Sequence, residues 1–326
     1  MNSKPLVSIV TPSYNGEQYL DNYFRRILAQ TYTNVELVLV NNGSTDNSDS
    51  VVDKYKDKIR ERGFIFKYLH VDKNIGPLEG LNLGIKNITG EYFSEIDVDD
   101  SMHDDYIQKK VEFFLNNPDI DILITPVNGY NAGDMSRIIE KYWDVPFSSK
   151  EDLIDRYLLG KGVGYMGGAY MMKASSFFST YKTHEIVNDP SIWGFATILY
   201  FPQLFLGEAA YLNEVLYDYF LYGTNLHITS EKRNLDILPK TYKLVMEKMG
   251  LDNNVQSEIQ KKVTIYVTRA FLCIAFNNGD KKMFDEKYKE LANVDALSKK
   301  DKIKKLLISN SLIYKCVQAI RGGLKK

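Results

Sequence analysis

The sequence has few cysteines, no long apolar segment and almost no net charge. Cys273 and Cys316 lie far apart without the spacing of a metal site, which excludes a disulfide-stabilised scaffold and indicates a reducing compartment. No apolar run reaches the ~18 residues that a transmembrane helix needs, and the polar N-terminus does not resemble a signal peptide. A net charge of −1 provides no basic surface for nucleic acid. We therefore expect a cytoplasmic protein.

The first 125 residues alternate between short apolar, β-branched runs and segments with helical spacing of apolar residues. This alternation predicts right-handed crossovers and a mostly parallel sheet, that is, an α/β fold. We expect strands at 6–11, 35–40, 64–71, 91–96 and 120–125. We expect helices at 18–30, 47–62, 76–86 and 101–116.

The pattern changes in the rest of the chain. Residues 128–134 have the composition of a loop, and we expect a helix at 149–159 with Ser149 as its cap. A strand at 170–173, a helix at 189–206 and an extended segment at 211–222 follow. After about residue 229 every segment has helical character, and we expect helices at 235–249, 255–277, 281–291 and 299–320.

Three carboxylates follow the apolar run that ends at Ile96: Asp97, Asp99 and Asp100. If the run is a strand, Asp97 and Asp99 share one face at its carboxyl end, the edge where open α/β sheets bind ligands. Carboxylates that close repel unless a cation or a proton lies between them. A divalent metal bridging to a phosphate is one interpretation. The other is an ordinary strand end that caps the next helix.

Two further strand ends carry polar turns, at 11–17 and at 41–46. Gly43 permits a sharp turn, and Asp46 or Asn47 is suited to cap the following helix. These side chains and amides could contact a base or ribose, or they could form ordinary strand–helix loops. Neither turn matches GxGxxG or GxxxxGK[ST], which argues against a dinucleotide or P-loop site.

The order of these segments closely resembles glycosyltransferase family two. The residues that carry the resemblance are VSIVTPSYN from 7, QTYTNVE from 30, VNNGSTD from 40, NIG from 74 with Asn82 and Gly84, GEY from 90, and DVDD from 97. The resemblance is strong over about 5–125 and weaker to about 229. It implies the GT-A fold, with a mostly parallel Rossmann-like sheet flanked by helices; the helical C-terminal extension lies outside it. It also implies a nucleotide-sugar donor, with a UDP-sugar favoured, and Mn²⁺ or Mg²⁺.

The resemblance also implies roles for individual residues. Asp99 would meet the metal and the diphosphate, and Asp97 the ribose and donor sugar. The other residues implied in donor binding are Pro12, Tyr14, Asn15, Glu17, Asn41, Asn42, Asn74, Gly76 and Val98. Asn41 and Asn42 stand where the family usually has an acid, and Leu81 where it often has Arg, which leaves the preferred base open.

On the acceptor side, inverting members of the family use a carboxylate to deprotonate the attacking hydroxyl, and Asp189 is the best match. Asp189 could instead cap the helix that follows it. His227 is a candidate late metal ligand after the tyrosine-rich segment. The glycines at 162, 164, 167 and 168 could admit an acceptor sugar.

These considerations predict a catalytic domain at 1–229, with a donor half at 1–125 and an acceptor half at 126–229, and a helical region at 230–326. The predicted function is metal-dependent, inverting transfer of a sugar to a glycan or lipid-linked acceptor in bacterial surface polysaccharide synthesis. A sugar nucleotidyltransferase and a non-catalytic glycan- or nucleotide-binding relative are the alternatives. From Lys299 to Lys326 there are nine Lys or Arg and one acid. The helix predicted at 299–320 could lie on the inner face of an anionic membrane or pack on its own domain.

Overall fold

A computed structural model describes residues 4–132, 134–181, 186, 189, 194–222, 231–310 and 314, without the side chains of 231–234. Eleven strands are found within these ranges: β1 (Val7–Ser13), β2 (Val35–Asn42), β3 (Ile65–Val71), β4 (Tyr92–Glu95), β5 (Ser101–Met102), β6 (Ile122–Ile124), β7 (Val127–Asn131), β8 (Asp134–Tyr142), β9 (Tyr170–Lys173), β10 (Ala209–Tyr211) and β11 (Tyr217–Leu221).

The helices in the described ranges flank these strands and dominate the C-terminal third. They are α1 (Glu17–Ala29), α2 (Ser48–Glu61), α3 (Pro77–Lys86), α4 (Tyr106–Asn116), α5 (Lys150–Leu159), α6 (Ala174–Thr180), α7 (Phe195–Leu199), α8 (Phe201–Leu206), α9 (Glu231–Met249), α10 (Asn253–Asn278), α11 (Lys281–Asn293) and α12 (Lys299–Ser309).

The main sheet has seven strands in the order β10-β6-β9-β4-β1-β2-β3. Neighbours pair in parallel except β9, which runs antiparallel to β4 and β6. All eight residues of β2 are buried, as is most of β1, because helices cover both faces of a parallel sheet. The carboxyl ends of β1, β2 and β4 therefore meet at one edge, and the predicted mostly parallel α/β fold is confirmed.

A second sheet, in the order β5-β11-β7-β8, corrects two predictions. The segment 128–134 is not a loop, because β7 pairs in parallel with β11 and antiparallel with β8. Its Asn and Gly residues suggested a turn, but long-range pairing overrides that local preference. The helix predicted at 101–116 begins only at Tyr106, because Ser101 and Met102 pair with β11. A third correction does not involve this sheet: the helix predicted up to residue 206 is divided at Tyr200 into α7 and α8.

The C-terminal helices belong to two apolar cores. Side chains of α9 and the first half of α10, among them Tyr242, Val245 and Val263, are part of the main core. The end of α10 packs with α11 and α12 around Phe276 and Phe284 in a smaller second core. The domain boundary at 229 stays a prediction. No helix in the described part of the chain combines the length and apolarity needed to cross a bilayer.

Candidate active site

The three aspartates lie together at the carboxyl edge of the main sheet, in a segment (residues 97–100) that we call the acid turn. One carboxylate oxygen each from Asp97, Asp99 and Asp100 lies within 4.8 Å of the others. The strand ends at Glu95, before either of the two positions, 97 and 99, that strand alternation would align. The Asp100 N–H approaches the Asp97 carbonyl at 3.4 Å. A turn, rather than strand alternation, therefore gathers the carboxylates, and for this reason Asp100 joins them.

Asp100 is the anchored member of the acid turn. Its side chain is buried, and it accepts hydrogen bonds from the Tyr217 hydroxyl at 2.8 Å and the Phe220 N–H at 2.9 Å. Both donors lie on β11, so the second sheet holds the turn in place. Asp97 and Asp99 are half-buried and accessible. The sequence analysis did not single out Asp100 as a site residue.

The acid turn carries more negative charge than the described residues around it compensate. Burial, followed by the charges of Glu95, Asp99 and Asp100, raises the pKa of Asp97 well above its ordinary value. Burial and the Asp99 charge do the same to the pKa of Asp100, and burial raises the pKa of Asp99. Oxygen donors of this kind, at this spacing, fit a hard divalent cation such as Mn²⁺ or Mg²⁺. A bound cation would lower these pKa values and relieve the repulsion.

Glu95 is a fourth acid at this edge that the sequence analysis missed. Burial raises its pKa to about 7, against hydrogen bonds from Tyr200 and Asp97 that lower it. The Tyr200 hydroxyl donates to Glu95 Oε2 at 2.9 Å. Positions 95, 97 and 99 alternate by two in the sequence, and this spacing was the available signal.

Two of the four glycines at 162–168 make room for side chains that support the acid turn. A Cβ on Gly167 would lie 1.9 Å from Glu95 Oε2, and one on Gly168 would lie 2.2 Å from the Tyr217 ring. The Gly168 carbonyl also accepts a hydrogen bond from Nζ of the buried Lys110 at 3.0 Å. These contacts explain glycines 167 and 168 without an acceptor sugar, whose passage there stays a prediction.

Three further segments lie at the same sheet edge: the loop after β1, the loop after β2 and residues 74–76. We call them together the amide loops. Asn15 has a positive φ of 51°, and its Oδ1 accepts the Thr45 N–H at 2.8 Å. The Glu17 carboxylate accepts from Asn47, and the Glu17 N–H donates to Asp46 Oδ2 at 2.9 Å. The loops after β1 and β2 are therefore joined into one unit.

The two asparagines in place of acids are buried and fully engaged. Asn42 Nδ2 donates to the Gly76 carbonyl at 2.9 Å, and its Oδ1 accepts the Ile75 N–H at 3.1 Å. Asn74 accepts from Asn42 and from the Gly76 N–H. Asn41 donates to Asp49 and Tyr68 and accepts from the Ser44 N–H. An ionised acid in these places could accept but not donate.

The other predicted donor-binding residues surround this unit. Tyr14 is 48% exposed, Pro12 is half-buried on β1, and Val98 lies in the acid turn, where a Cβ on Gly16 would be 3.5 Å from its side chain. A cleft of about 600 Å³ lies elsewhere, between the start of α5 and residues 161–162. Gly162, one of the glycines predicted to admit an acceptor sugar, lines it, but none of the predicted donor-binding, metal-binding or catalytic residues does. Donor binding by these residues stays a prediction.

Most of the residues around the predicted acceptor-side positions lie outside the described residues. Asp189 is described and half-buried, but its neighbours at 187–188 and 190–193 lie outside the described residues. The predicted metal ligand His227 also lies outside them. The roles of both residues stay predictions.

Comparison with known proteins supports the relationship that the motifs suggest. Residues 8–178, just over half of the chain, match the family model described as Glycosyl transferase family 2. The chain belongs to this family. An uncharacterized glycosyltransferase of Rickettsia felis is 44% identical over 119 residues, which are 35% of this chain and 18% of that protein. Glycosyltransferase GlyG of Streptococcus pneumoniae serotype 4 is 33% identical over 129 residues, 40% of this chain and 41% of GlyG. The chain thus matches less than half the length of these family members.

Solved structures of glycosyltransferases share the fold of this protein over most of the chain. Residues 1–349 of S. aureus TarS superpose with a TM-score of 0.61 at 16% identity, covering 88% of this chain and 78% of that one. The same TarS fragment in complex with UDP-GlcNAc gives a TM-score of 0.60 at 16% identity, covering 98% and 92%. Mannosyltransferase PcManGT from Pyrobaculum calidifontis, in complex with GDP-Man and Mn²⁺, gives 0.58 at 14% identity, covering 98% and 85%.

Proposed function

We propose that this chain is a metal-dependent, inverting glycosyltransferase. It would move a sugar from a nucleotide-sugar donor, a UDP-sugar in the first instance, to a hydroxyl of a glycan or lipid-linked acceptor in bacterial surface polysaccharide synthesis. The observation that carries the proposal is the acid turn, with three carboxylates within 4.8 Å of one another. Family membership supports it, as do the complexes of TarS with UDP-GlcNAc and of PcManGT with GDP-Man and Mn²⁺.

Each residue in the proposed mechanism has a distinct task. Asp97 and Asp99 would hold Mn²⁺ or Mg²⁺, while Asp100, anchored by Tyr217, keeps the turn in shape. When bound, the cation supplies a Lewis acid for the charge that develops on the departing diphosphate. Tyr14, exposed beside the amide loops, offers a ring for a base to stack on. Asp189 would take the proton of the attacking acceptor hydroxyl, and His227 would be a further metal ligand.

The proposal is tested by the release of UDP from a UDP-sugar with Mn²⁺ and no added acceptor. Asp99→Ala should lower turnover by roughly a hundredfold or more, because a metal-held leaving group is worth several kcal/mol. Asp119→Ala, at an exposed acid outside the turn, is the matched control and should behave as wild type. A calorimetric panel of UDP, GDP, CDP and dTDP with Mn²⁺ would identify the base.

A non-catalytic relative is the second candidate, favoured by the amides at 41 and 42. It predicts that the wild-type protein shows no turnover with any donor, whatever its nucleotide affinity. A sugar nucleotidyltransferase would need a glycine-rich loop bearing Lys or Arg after β1. Residues 13–17 instead form a polar turn bound to residues 44–47.

A further inference from the structure

The helix α12 exposes an apolar and basic surface outside the second core, which we call the α12 outer face. Leu306 is 73% exposed and Ile303 is 55% exposed. At 3.6 residues per turn, these two side chains and Lys299 fall within an arc of about 60°. Lys300 and Lys302, also exposed, flank that arc on its two sides.

The opposite side of α12 is fixed to the rest of the protein. Ile308 is buried in the second core. The buried Asp301 caps the helix together with Ser298 and pairs with Arg269 at 3.4 Å. The apolar side chains of α12 are divided between its two sides, since Leu307 and Ile308 pack inward while Ile303 and Leu306 face solvent.

The lysines of α12 divide in the same way. Lys305 pairs with Asp285 at 2.6 Å, and Lys304 donates to Cys273 at 2.8 Å. Lys299, Lys300 and Lys302 form no ion pair or hydrogen bond with any residue that the structure describes. Three uncompensated cations therefore surround two apolar side chains that no described residue covers.

We propose that the α12 outer face docks on an anionic lipid bilayer. Interfacial helices insert large apolar side chains at the headgroup boundary while flanking lysines meet anionic lipids. The sequence beyond residue 310 adds Lys315, Arg321, Lys325 and Lys326 and no acid. This positive charge is complementary to the negative charge of anionic lipids. Two side chains offer far less apolar area than the roughly 1,200–2,000 Å² that a stable protein interface buries. This surface is therefore better suited to lipid than to a second copy of the chain.

The test is co-sedimentation of the full chain with lipid vesicles. Wild type should bind vesicles that contain about 30 mol% phosphatidylglycerol, bind pure phosphatidylcholine weakly, and dissociate in about 0.5 M NaCl. The triple variant Lys299→Gln, Lys300→Gln, Lys302→Gln should bind about a hundredfold more weakly, since each cation near such a surface contributes about one log unit or slightly less. The double variant Lys281→Gln, Lys282→Gln removes exposed cations from the start of α11 and should bind nearly as wild type.

The apolar half of the face is tested separately. Leu306→Glu should lower vesicle binding at least tenfold, whereas Leu115→Glu, at the 59% exposed Leu115 of α4, should not change it. Thermal unfolding of each variant establishes that it is folded.

Three outcomes would overturn the proposal. Wild type could fail to sediment with anionic vesicles, the α12 variants could bind as tightly as their controls, or a wild-type dimer could dissociate on Leu306→Glu. The last result would mean that a second copy covers the face. None of these outcomes bears on turnover in solution, so failure here is distinguishable from failure of the glycosyltransferase proposal.

Discussion

The acid turn and the amide loops lie at the same edge of the main sheet and use their polar groups in opposite ways. In the amide loops, hydrogen-bond donors are paired with acceptors. The Asn42 side chain bonds to the backbone of residues 75 and 76, Asn15 accepts from Thr45, and Glu17 accepts from Asn47. In the acid turn, carboxylate acceptors outnumber the hydrogen-bond donors that the described residues supply. Only Asp100 is anchored by donors from β11, and the pKa values of Glu95, Asp97, Asp99 and Asp100 are all raised.

This contrast separates scaffold from binding site. Buried polar groups that satisfy one another rigidify a structure and require no ligand. Buried carboxylates without compensating donors are costly until a proton or cation arrives. The amide loops therefore gain little from a ligand for their own stability, whereas the acid turn gains a great deal. Experiments that measure stability with and without metal can test this difference directly.

The largest expected effect is a dependence of stability on pH that comes from the acid turn. Glu95 has a pKa of about 7 in the fold against an ordinary value of 4.5, so between these values the folded state holds a proton that the unfolded state releases. Stability should therefore fall as pH rises from about 4.5 to about 7, by on the order of 3 kcal/mol, as Glu95 and the acids that titrate with it ionise. Urea unfolding across this range, without added metal, measures it.

Two comparisons sharpen this pH experiment. Glu95→Gln should flatten the dependence, and saturating Mn²⁺ should raise stability most at the alkaline end, where the carboxylates are ionised. Below about pH 4 the opposite trend is expected from acids such as Asp46 and Asp49, because hydrogen bonds hold their pKa values low. A stability that rises steadily from pH 5 to pH 8 would contradict the account of the acid turn.

The next effect on stability is expected at Gly167, which lies against Glu95. Gly167→Ala should destabilise the fold by about 1–3 kcal/mol, because the new Cβ would lie 1.9 Å from Glu95 Oε2 and 2.3 Å from the Glu95 carbonyl oxygen. The side chain could rotate away, but the backbone of β4 would have to shift and displace the acid turn. We expect reduced UDP release as well as a lower urea midpoint.

Gly129→Ala is the matched control for that variant. A Cβ there would meet Glu140 and Tyr142 at 3.3 Å, a contact that a small movement relieves, so the loss should stay below about 1 kcal/mol. Equal losses in the two variants would mean that the contact with Glu95 is not what requires glycine at 167.

Features that depend on local sequence could be predicted, and features that depend on contacts between distant residues could not. The parallel strands follow from local periodicity and were predicted. The clustering of Asp97 and Asp99 beyond a strand end was also predicted, although a turn and not strand alternation produces it. The pairing of β7 with β11, the anchoring of Asp100 by Tyr217, and the need for Gly168 beside that ring depend on residues about 50 to 120 positions apart. No local pattern reports such contacts. Asn41 and Asn42 were recognised as departures from the family, but only the structure shows how their amides are used.

An effect of similar size on stability tests the amide loops. Asn42→Asp keeps the shape of the side chain but replaces a donor by an acceptor opposite the Gly76 carbonyl and Asn74 Oδ1. We expect a loss of about 1–3 kcal/mol that Mn²⁺ does not reverse, because the damage lies outside the acid turn. Asn116→Asp, at an exposed position, should be neutral in the same urea titration. Recovery of Asn42→Asp on adding metal would mean that the two regions are coupled.

The smallest effect on stability is expected at Tyr14, because its ring is 48% exposed and its side chain forms no hydrogen bond or ring contact with the described residues. Tyr14→Ala should change the free energy of unfolding by less than about 0.5 kcal/mol. It should weaken UDP binding by roughly threefold to tenfold, the value of one aromatic stacking contact, and Tyr14→Phe should bind as wild type. If calorimetry shows equal UDP affinity for wild type and Tyr14→Ala, the base does not stack on this ring. The nucleoside would then have to be held by the amide loops, whose polar side chains already bond to one another.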